Sequence, residues 1–243
     1  MGDFSDFILF YSTYSFLGWL METTYASIRQ RKFVNRGYLT GFFCPIYGYG
    51  AVLILLTSDW LIQSSLNQIA MLIWIALASI AQMTVLEFIT GFALERLFKL
   101  KWWDYSGKAF NLKGYICLQY SLLWGVLAIV LVMIVHPFIS SMIVRLSATI
   151  KIHLATILIA YFVIDTIIST LNALKLREFI SSFKNMALSE YYEKIIRFKR
   201  FVVAFPSLLL HIDEFFKKEI GSLSEDHADK IKTIIKSRFR QLK

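Results

Sequence analysis

Five stretches of the chain stay apolar long enough to cross a bilayer as helix, which takes about 20 residues at 1.5 Å each. They run roughly from Phe7 to Ile28, Phe42 to Leu56 or Leu66, Ile69 to Phe98, Gly114 to Val135, and Ile152 to Leu174. Glu22 and scattered small polar residues interrupt the first, and Asp165 lies in the fifth. The second opens on Cys44-Pro45-Ile46-Tyr47-Gly48-Tyr49-Gly50, so its first turns are expected to be irregular or half-buried. The stretch after Leu174 changes character: its apolar residues recur at helical spacing, as in Tyr191, Ile195, Phe198 and Val202, but never form a span. It reads as two or three amphipathic helices, with Pro206 as a break.

Charge between the spans gives an orientation. Arg29, Arg31, Lys32 and Arg36 separate the first two, and Arg96, Lys99, Lys101, Lys108 and Lys113 separate the third and fourth. Thr57 to Gln68 carries no lysine or arginine, and His136 to Lys151 only Arg145 and Lys151. Basic loops stay cytoplasmic. The expected fold class is an all-α integral membrane protein with about five transmembrane helices, N-terminus out and C-terminus in. Residues 1–174 form the transmembrane domain and residues 175–243 a basic helical cytoplasmic tail, which holds 15 of the 26 basic and 9 of the 17 acidic residues.

Composition agrees with a membrane protein. Hydrophobic residues make up 57% of the 243, with a mean hydropathy of +0.57, against about 45–50% in soluble domains. The acidic start, Met1-Gly2-Asp3-Phe4-Ser5-Asp6, lacks the basic region of a signal peptide, so the first span is expected to remain. A net charge of +9 concentrated near the membrane suits an anionic leaflet rather than nucleic acid. Cys44 and Cys117 cannot build a disulfide framework and read as buried thiols. The four histidines show no ligand spacing, so no metal and no cofactor is expected. There is no phosphate loop of the Gly-x-x-x-x-Gly-Lys-Ser/Thr kind and no serine, histidine and acid arrangement, so no catalytic residue is assigned.

A charged side chain at bilayer depth costs roughly 2.5–3.5 kcal/mol on insertion scales, which singles out the acidic residues of the spans. Glu22 lies about 10 Å inside the cytoplasmic end of the first helix, seven residues before Arg29. Glu87, Gly91 and Glu95 share a face of the third helix by their i, i+4, i+8 spacing, with Glu87 about 12 Å deeper than Glu95. Asn35 and Arg36 lead into the second helix from the same side, with Tyr47 in its first turn. Trp103, Asp104, Tyr105 and Asn111 lead into the fourth. The expectation is a cavity open to the cytoplasm, lined by Glu22, Asn35, Arg36, Tyr47, Glu87, Glu95, Trp103, Asp104, Tyr105 and Asn111. Structural readings stand beside this one. Trp102 and Trp103 also fit an interfacial aromatic belt, Glu95 a helix-end charge, and Glu22 a pairing with Arg36. Gly48 and Gly50 also fit close helix packing, and Asp165 a helix cap or a lysine partner.

Several of these stretches resemble a known family. They are Phe16-Leu17-Gly18-Trp19-Leu20-Met21-Glu22, Asn35-Arg36-Gly37-Tyr38-Leu39-Thr40-Gly41, Cys44-Pro45-Ile46-Tyr47-Gly48-Tyr49-Gly50, Glu87-Phe88-Ile89-Thr90-Gly91, Leu94-Glu95, Trp102-Trp103-Asp104-Tyr105-Ser106, Asn111-Leu112-Lys113-Gly114 and Trp124-Gly125. Together they are similar to the putative ABC-transporter type IV family, or CmpB-like putative ABC transporter permeases, over about residues 7 to 140. One departure is Phe42-Phe43, where the family often has a Gly-Pro-like approach. The resemblance implies a multi-pass protein of the bacterial cytoplasmic (inner) membrane and a permease-like role in transport. If ATP-driven, such a protein needs a separate ATPase subunit, since none is encoded here; the lipids of an anionic leaflet, read from the charge, and a homo-oligomer complete the expected partners. Two alternatives stand: an intramembrane enzyme acting on a lipid or lipid-linked substrate at the cytoplasmic leaflet, and a non-catalytic membrane regulator or scaffold. In the enzyme reading the carboxylates do acid–base work, while Arg36 and the backbone near Gly48 and Gly50 hold a phosphate.

Overall fold

In a computed structural model the described residues are 3–63, 67–181, 198–205 and 208. The chain is mostly helical: α1 (Phe4–Gln30), α2 (Pro45–Ile62), α3 (Gln68–Phe98), α4 (Leu118–Val130), α5 (His136–Val144), α6 (Ala148–Ser181) and α7 (Lys199–Ala204). Two two-residue strands, β1 (Asn111–Leu112) and β2 (Ile116–Cys117), form an antiparallel pair just before α4. Sequence patterning missed them, because two residues carry no periodicity. Lys113 and Gly114 both take positive φ (53° and 74°), and Tyr115 N–H closes the turn on Leu112 C=O at 3.1 Å. That is the primed hairpin geometry, in which glycine costs least.

Four helical stretches are long and apolar enough to cross a membrane: Pro45–Ile62, Gln68–Phe98, Leu118–Val144 and Ala148–Ile180. α1 is not among them, because serines, threonines, tyrosines and Glu22 dilute its apolar residues, although its 27 residues reach about 40 Å. The fourth expected span starts later and ends later than Gly114 to Val135. The hairpin delays its start to Leu118, and α4 runs on through a five-residue π turn (Leu131–Val135) into α5. Pro137, in the first turn of α5, has no N–H to donate, and the widened turn ahead of it carries the helix past without a break. α6 likewise continues to Ser181, beyond the expected end at Leu174.

The long helices run in alternating directions. At one end Lys151 of α6 pairs with Asp6 of α1 at 2.8 Å, and Tyr14 bonds His136 at 2.7 Å. At the other, Arg177 of α6 donates to the C=O of Leu97 at 3.2 Å. Two buried clusters hold the bundle. Leu9, Phe10, Tyr14, Ile54, Leu55, Ile75, Met83, Ala128 and Val132 pack the half nearer the N-terminus. Phe98, Leu100, Trp102, Leu176, Phe179, Phe201, Phe205 and Leu208 pack the other end. The second cluster contains Phe201 of α7, which therefore shares a core with α3 and α6. The rest of the expected tail helices lies outside the described residues.

The first turn of α2 is half-buried, one of the two forms expected for it, but it is not irregular. The helix is regular from Pro45, with proline in the first turn where its missing N–H is harmless. Gly48 and Gly50 sit inside that helix. A side chain at Gly48 would meet Tyr11 and Ser15 of α1, and one at Gly50 would meet Met83 of α3. They are close-packing residues, so they offer no backbone cradle for a phosphate. Phe42 and Phe43, the departure from the family pattern, fill this region with rings. Phe42 packs edge-on to Trp19 at 5.0 Å, and Phe43 lies 4.8 Å from Phe162 of α6.

Candidate functional site

The site begins where α1 ends. Arg31 takes a left-handed conformation (φ 52°) and turns the chain back along the helix it has just left. The returning segment has no regular structure, and α1 supplies its partners. Ser27 Oγ accepts from Val34 N–H at 3.0 Å, and Thr23 Oγ1 from Arg36 N–H at 3.2 Å. Trp19 Nε1 donates to Asn35 Oδ1 at 2.7 Å, and the Ser15 C=O accepts from Cys44 N–H at 2.9 Å. Ser15, Trp19, Thr23 and Ser27 are spaced by four and so form one stripe on α1. Between Ser27 and Ser15 the helix rises about 18 Å. The segment therefore runs well down the length of α1 before α2 starts. Backbone outside helices is tolerated at membrane depth only where protein satisfies it, and this stripe does so.

α6 holds the other side of the same segment. Asp165, buried, accepts from Thr40 N–H at 3.0 Å and Gly41 N–H at 2.9 Å, and from Ser169 Oγ at 3.1 Å. Tyr38 shares a hydrogen bond with Thr170 at 2.7 Å. Among the described residues Asp165 thus neither caps a broken helix nor pairs with a lysine; it is an acceptor for backbone. Among the predicted site residues Asn35 belongs to this scaffold, since its Nδ2 donates to Thr40 C=O at 2.8 Å.

Carried back along α1, Arg36 meets Glu22, with Nε 3.0 Å from Oε2. The Tyr47 hydroxyl donates to the other carboxyl oxygen at 2.6 Å. Gly18, one turn before Glu22, leaves room for the Tyr47 ring, which a Cβ there would overlap.

Glu87 comes to the same region from α3. It is only 6% exposed. Tyr105 donates to its Oε1 at 3.1 Å, and its Oε2 is buried without a hydrogen bond of normal geometry. Glu22 and the Trp124 side chain also act on this carboxyl. Tyr105 packs against Tyr120 at a tilt, with ring centroids 4.8 Å apart. Burial, and then the neighbouring Glu87, push the Tyr105 phenol well above its ordinary pKa, so it stays a proton donor at any physiological pH.

The loop from Lys99 to Cys117 is built to hold Tyr105 there. Asp104 accepts from Ser106 N–H at 3.0 Å and from Ser106 Oγ at 2.6 Å, and pairs with Lys101 at 3.4 Å. Burial opposes ionisation of Asp104, but those Ser106 and Lys101 contacts outweigh it and hold the carboxyl below its usual range. Asn111 donates to the carbonyls of Ser106 (3.1 Å) and Lys108 (2.8 Å) and accepts from Gly114 N–H (3.2 Å). Trp103 donates from Nε1 to Tyr115 C=O at 2.8 Å and faces Gly91. Glu95 stands two turns along α3 from Glu87, half-buried, with an unpartnered Oε2.

The structure therefore gathers Glu22, Arg36, Tyr47, Glu87 and Tyr105. Asn35, Trp103, Asp104 and Asn111 fold the segments that carry them. Sequence reasoning passed over Tyr120 and Trp124, the α1 stripe, and the Asp165–Ser169 pair on α6. The signal for the stripe was present: small polar residues and a tryptophan at every fourth position of α1.

Residues 9–170 match the sequence profile of a family described as Putative ABC-transporter type IV. The chain belongs to this family. No curated protein and no solved structure gives a significant match. With its four membrane-length apolar stretches, this type IV protein is a multi-pass membrane protein. The matched region covers the whole carboxylate–tyrosine group, the α1 stripe and Asp165, and it stops before α7.

Proposed function

We propose that the chain is the permease-like membrane component of a transport system in the bacterial cytoplasmic (inner) membrane. In this reading α1 is a fifth span, the N-terminus is outside and the C-terminus inside. A separate subunit hydrolyses ATP and docks on the basic cytoplasmic face. The substrate site is a polar cavity around Glu22, Arg36, Tyr47, Glu87 and Tyr105 that opens toward the cytoplasm.

The observation that carries this reading is the meeting of two glutamates from different helices beside a non-helical segment folded back along α1. A buried carboxylate is costly in a span and is kept where it serves a pathway or a ligand. Broken backbone beside such groups is how many transporters build a site at membrane depth. The family match supports transport. An apolar groove between α1 and α4, walled in part by Tyr47 and Trp124, lends support to a second reading, an intramembrane enzyme acting on a lipid at the cytoplasmic leaflet.

Untargeted lipid and metabolite profiling of a deletion strain, with co-purification of the tagged chain, separates the two. Transport predicts a compound displaced across the membrane, unmodified, and an ATPase that co-purifies. Accumulation of a precursor lipid lacking one chemical modification would replace transport with the enzyme reading.

A further inference from the structure

A groove of about 160 Å³ runs between α1 and α4, floored by α2 and α3. Its walls are apolar, with Leu17 and Met21 on α1, Met83 on α3, and Leu127 and Leu131 on α4 and the π turn. Tyr47 and Trp124 stand side by side in its wall, ring centroids 5.2 Å apart. Their polar ends leave the groove for the carboxylates: the Tyr47 hydroxyl bonds Glu22, and the Trp124 side chain faces Glu87. An apolar slot thus adjoins a charged group through two shared aromatic residues.

The charges of that group do not balance. Glu22 has Arg36; Glu87, with one buried oxygen unpartnered, has no cation among the described residues. Tyr47 reaches Glu22, Tyr105 and Trp124 reach Glu87, and Tyr120 packs against Tyr105. Aromatic faces and a carboxylate together recognise an organic ammonium group. Glu87 thus lies buried behind the groove wall with its charge uncompensated by any cation among the described residues, and the groove offers a slot for an alkyl chain.

We propose that the site takes an amphiphilic monocation, an alkylammonium whose head lies at Glu87 beside Tyr105 and Trp124 and whose chain lies in the α1–α4 groove. This rests on the transport reading and names its substrate class. The chain of the ligand approaches from the lipid side, where the groove opens between α1 and α4.

The test is binding of dodecyltrimethylammonium to the purified full-length protein in maltoside micelles, read by tryptophan fluorescence with protein-free micelles subtracted. The expected result is saturable binding, weakened at least tenfold in Glu87→Gln. Tetramethylammonium, the head alone, binds at least tenfold more weakly than the amphiphile, and dodecyl sulfate does not compete. Leu127→Trp, which fills the groove without touching the carboxyls, weakens the amphiphile and narrows its advantage over the head alone. Each variant's melting curve shows whether it is folded; should Glu87→Gln unfold, the groove variant and the tetramethylammonium comparison decide alone. Equal binding in folded Glu87→Gln would mean that a proton neutralises this carboxyl, and it overturns the proposal. So does binding that ignores chain length or Leu127→Trp. If binding fails while the deletion-strain phenotype still depends on Glu87, only the ligand class falls. If binding holds and no compound crosses the membrane, the transport reading falls instead.

Discussion

The Asp165 carboxylate on α6 accepts the backbone N–H of Gly41 at 2.9 Å, across 124 positions of sequence. Its other oxygen accepts from Thr40 N–H at 3.0 Å. One side chain thereby satisfies two donors of a segment that has no ladder of its own. Replacing Asp165 by Ala leaves the half-buried Gly41 N–H without its acceptor, at up to about 1–3 kcal/mol for an unsatisfied buried donor, while Thr40 N–H keeps Ser169 Oγ at 2.8 Å. Asp165→Ala is expected to lower the melting temperature of the purified protein markedly, and Asp165→Asn, which keeps one acceptor, by less. An unchanged melting curve for Asp165→Ala would show that water or the lipid headgroup region serves the Gly41 N–H.

How far the sequence was legible follows from the range of each interaction. Spans show as runs of apolar residues, so α2, α3, α4 and α6 were visible within a few residues of their ends. The continuation into α5 was not, because hydropathy cannot show that a π turn will carry the helix past Pro137. Glu22 and Glu87 stood out because each is a cost that composition alone reveals. Tyr105 was expected in the cavity as part of the polar aromatic turn, but its bond to Glu87 was not readable, and Trp124 was not singled out as a site residue, since a tryptophan near a helix start is ordinary at an interface. Asp104 and Asn111 were expected at the mouth of a cavity because they are polar and close in sequence. They turned out to bond their own loop, as short polar side chains commonly do. The meaning of Asp165 was out of reach, because its partners are backbone groups and no residue type announces them.

The α1 stripe makes a sharper case than Asp165, since a single atom is at issue. Thr23 Oγ1 accepts from Arg36 N–H, and that bond sets where Arg36 begins its reach to Glu22. Thr23→Val keeps the shape and removes the acceptor. It should destabilise the protein by about 1–3 kcal/mol, while Thr23→Ser should stay close to wild type. Thermal unfolding of the two variants side by side checks this; equal losses would point to packing of the methyl group instead.

α7 is tied to the membrane part by two kinds of contact. Trp102 packs edge-on against Phe201 at 5.4 Å and Phe205 at 5.0 Å. Arg200 donates to the carbonyls of Gly37, at 3.0 Å, and Leu39, in the segment that Asp165 holds from the other side. Burial pulls the Arg200 pKa below its ordinary value, and the nearby Asp165 charge opposes that pull. Arg200→Ala together with Phe205→Ala should release α7. Limited proteolysis of the full-length protein would then cut near residues 198–208 several times faster than in wild type, with the spans left intact. Cutting at the wild-type rate would show that the docking rests on other residues.

The two ends of the bundle carry very different charge. Arg36, Lys101 and the C-terminal end of α6 stand at one end, while the end with Asp6 and His136 has few basic residues. Basic loops resist translocation. Reporter fusions after Gln63, Lys108 and Arg177 should therefore read outside, inside and inside. A cytoplasmic reading after Gln63 would invert the orientation and place the Glu22–Glu87 site toward the outer face.

Glu87 separates a functional carboxylate from a structural one most cleanly. It receives a hydrogen bond from Tyr105, and the oxygen of a glutamine can accept that bond equally well. Glu87→Gln thus keeps shape and the Tyr105 contact while removing the charge. Burying a charge without a cation costs free energy, so the neutral variant should fold at least as well as wild type, with a melting temperature equal or higher. If the charge serves transport, the variant should fail to restore the lipid and metabolite profile of a deletion strain although it inserts and purifies normally. Tyr105→Phe is the matching control: it leaves the carboxylate charged and removes its donor, so it should lose stability, with less effect on transport per folded molecule. The opposite pattern, with Glu87→Gln losing stability and activity together, would make the carboxyl a strut between α3 and the loop that carries Tyr105. The substrate site would then have to lie at Glu22 and Arg36 alone.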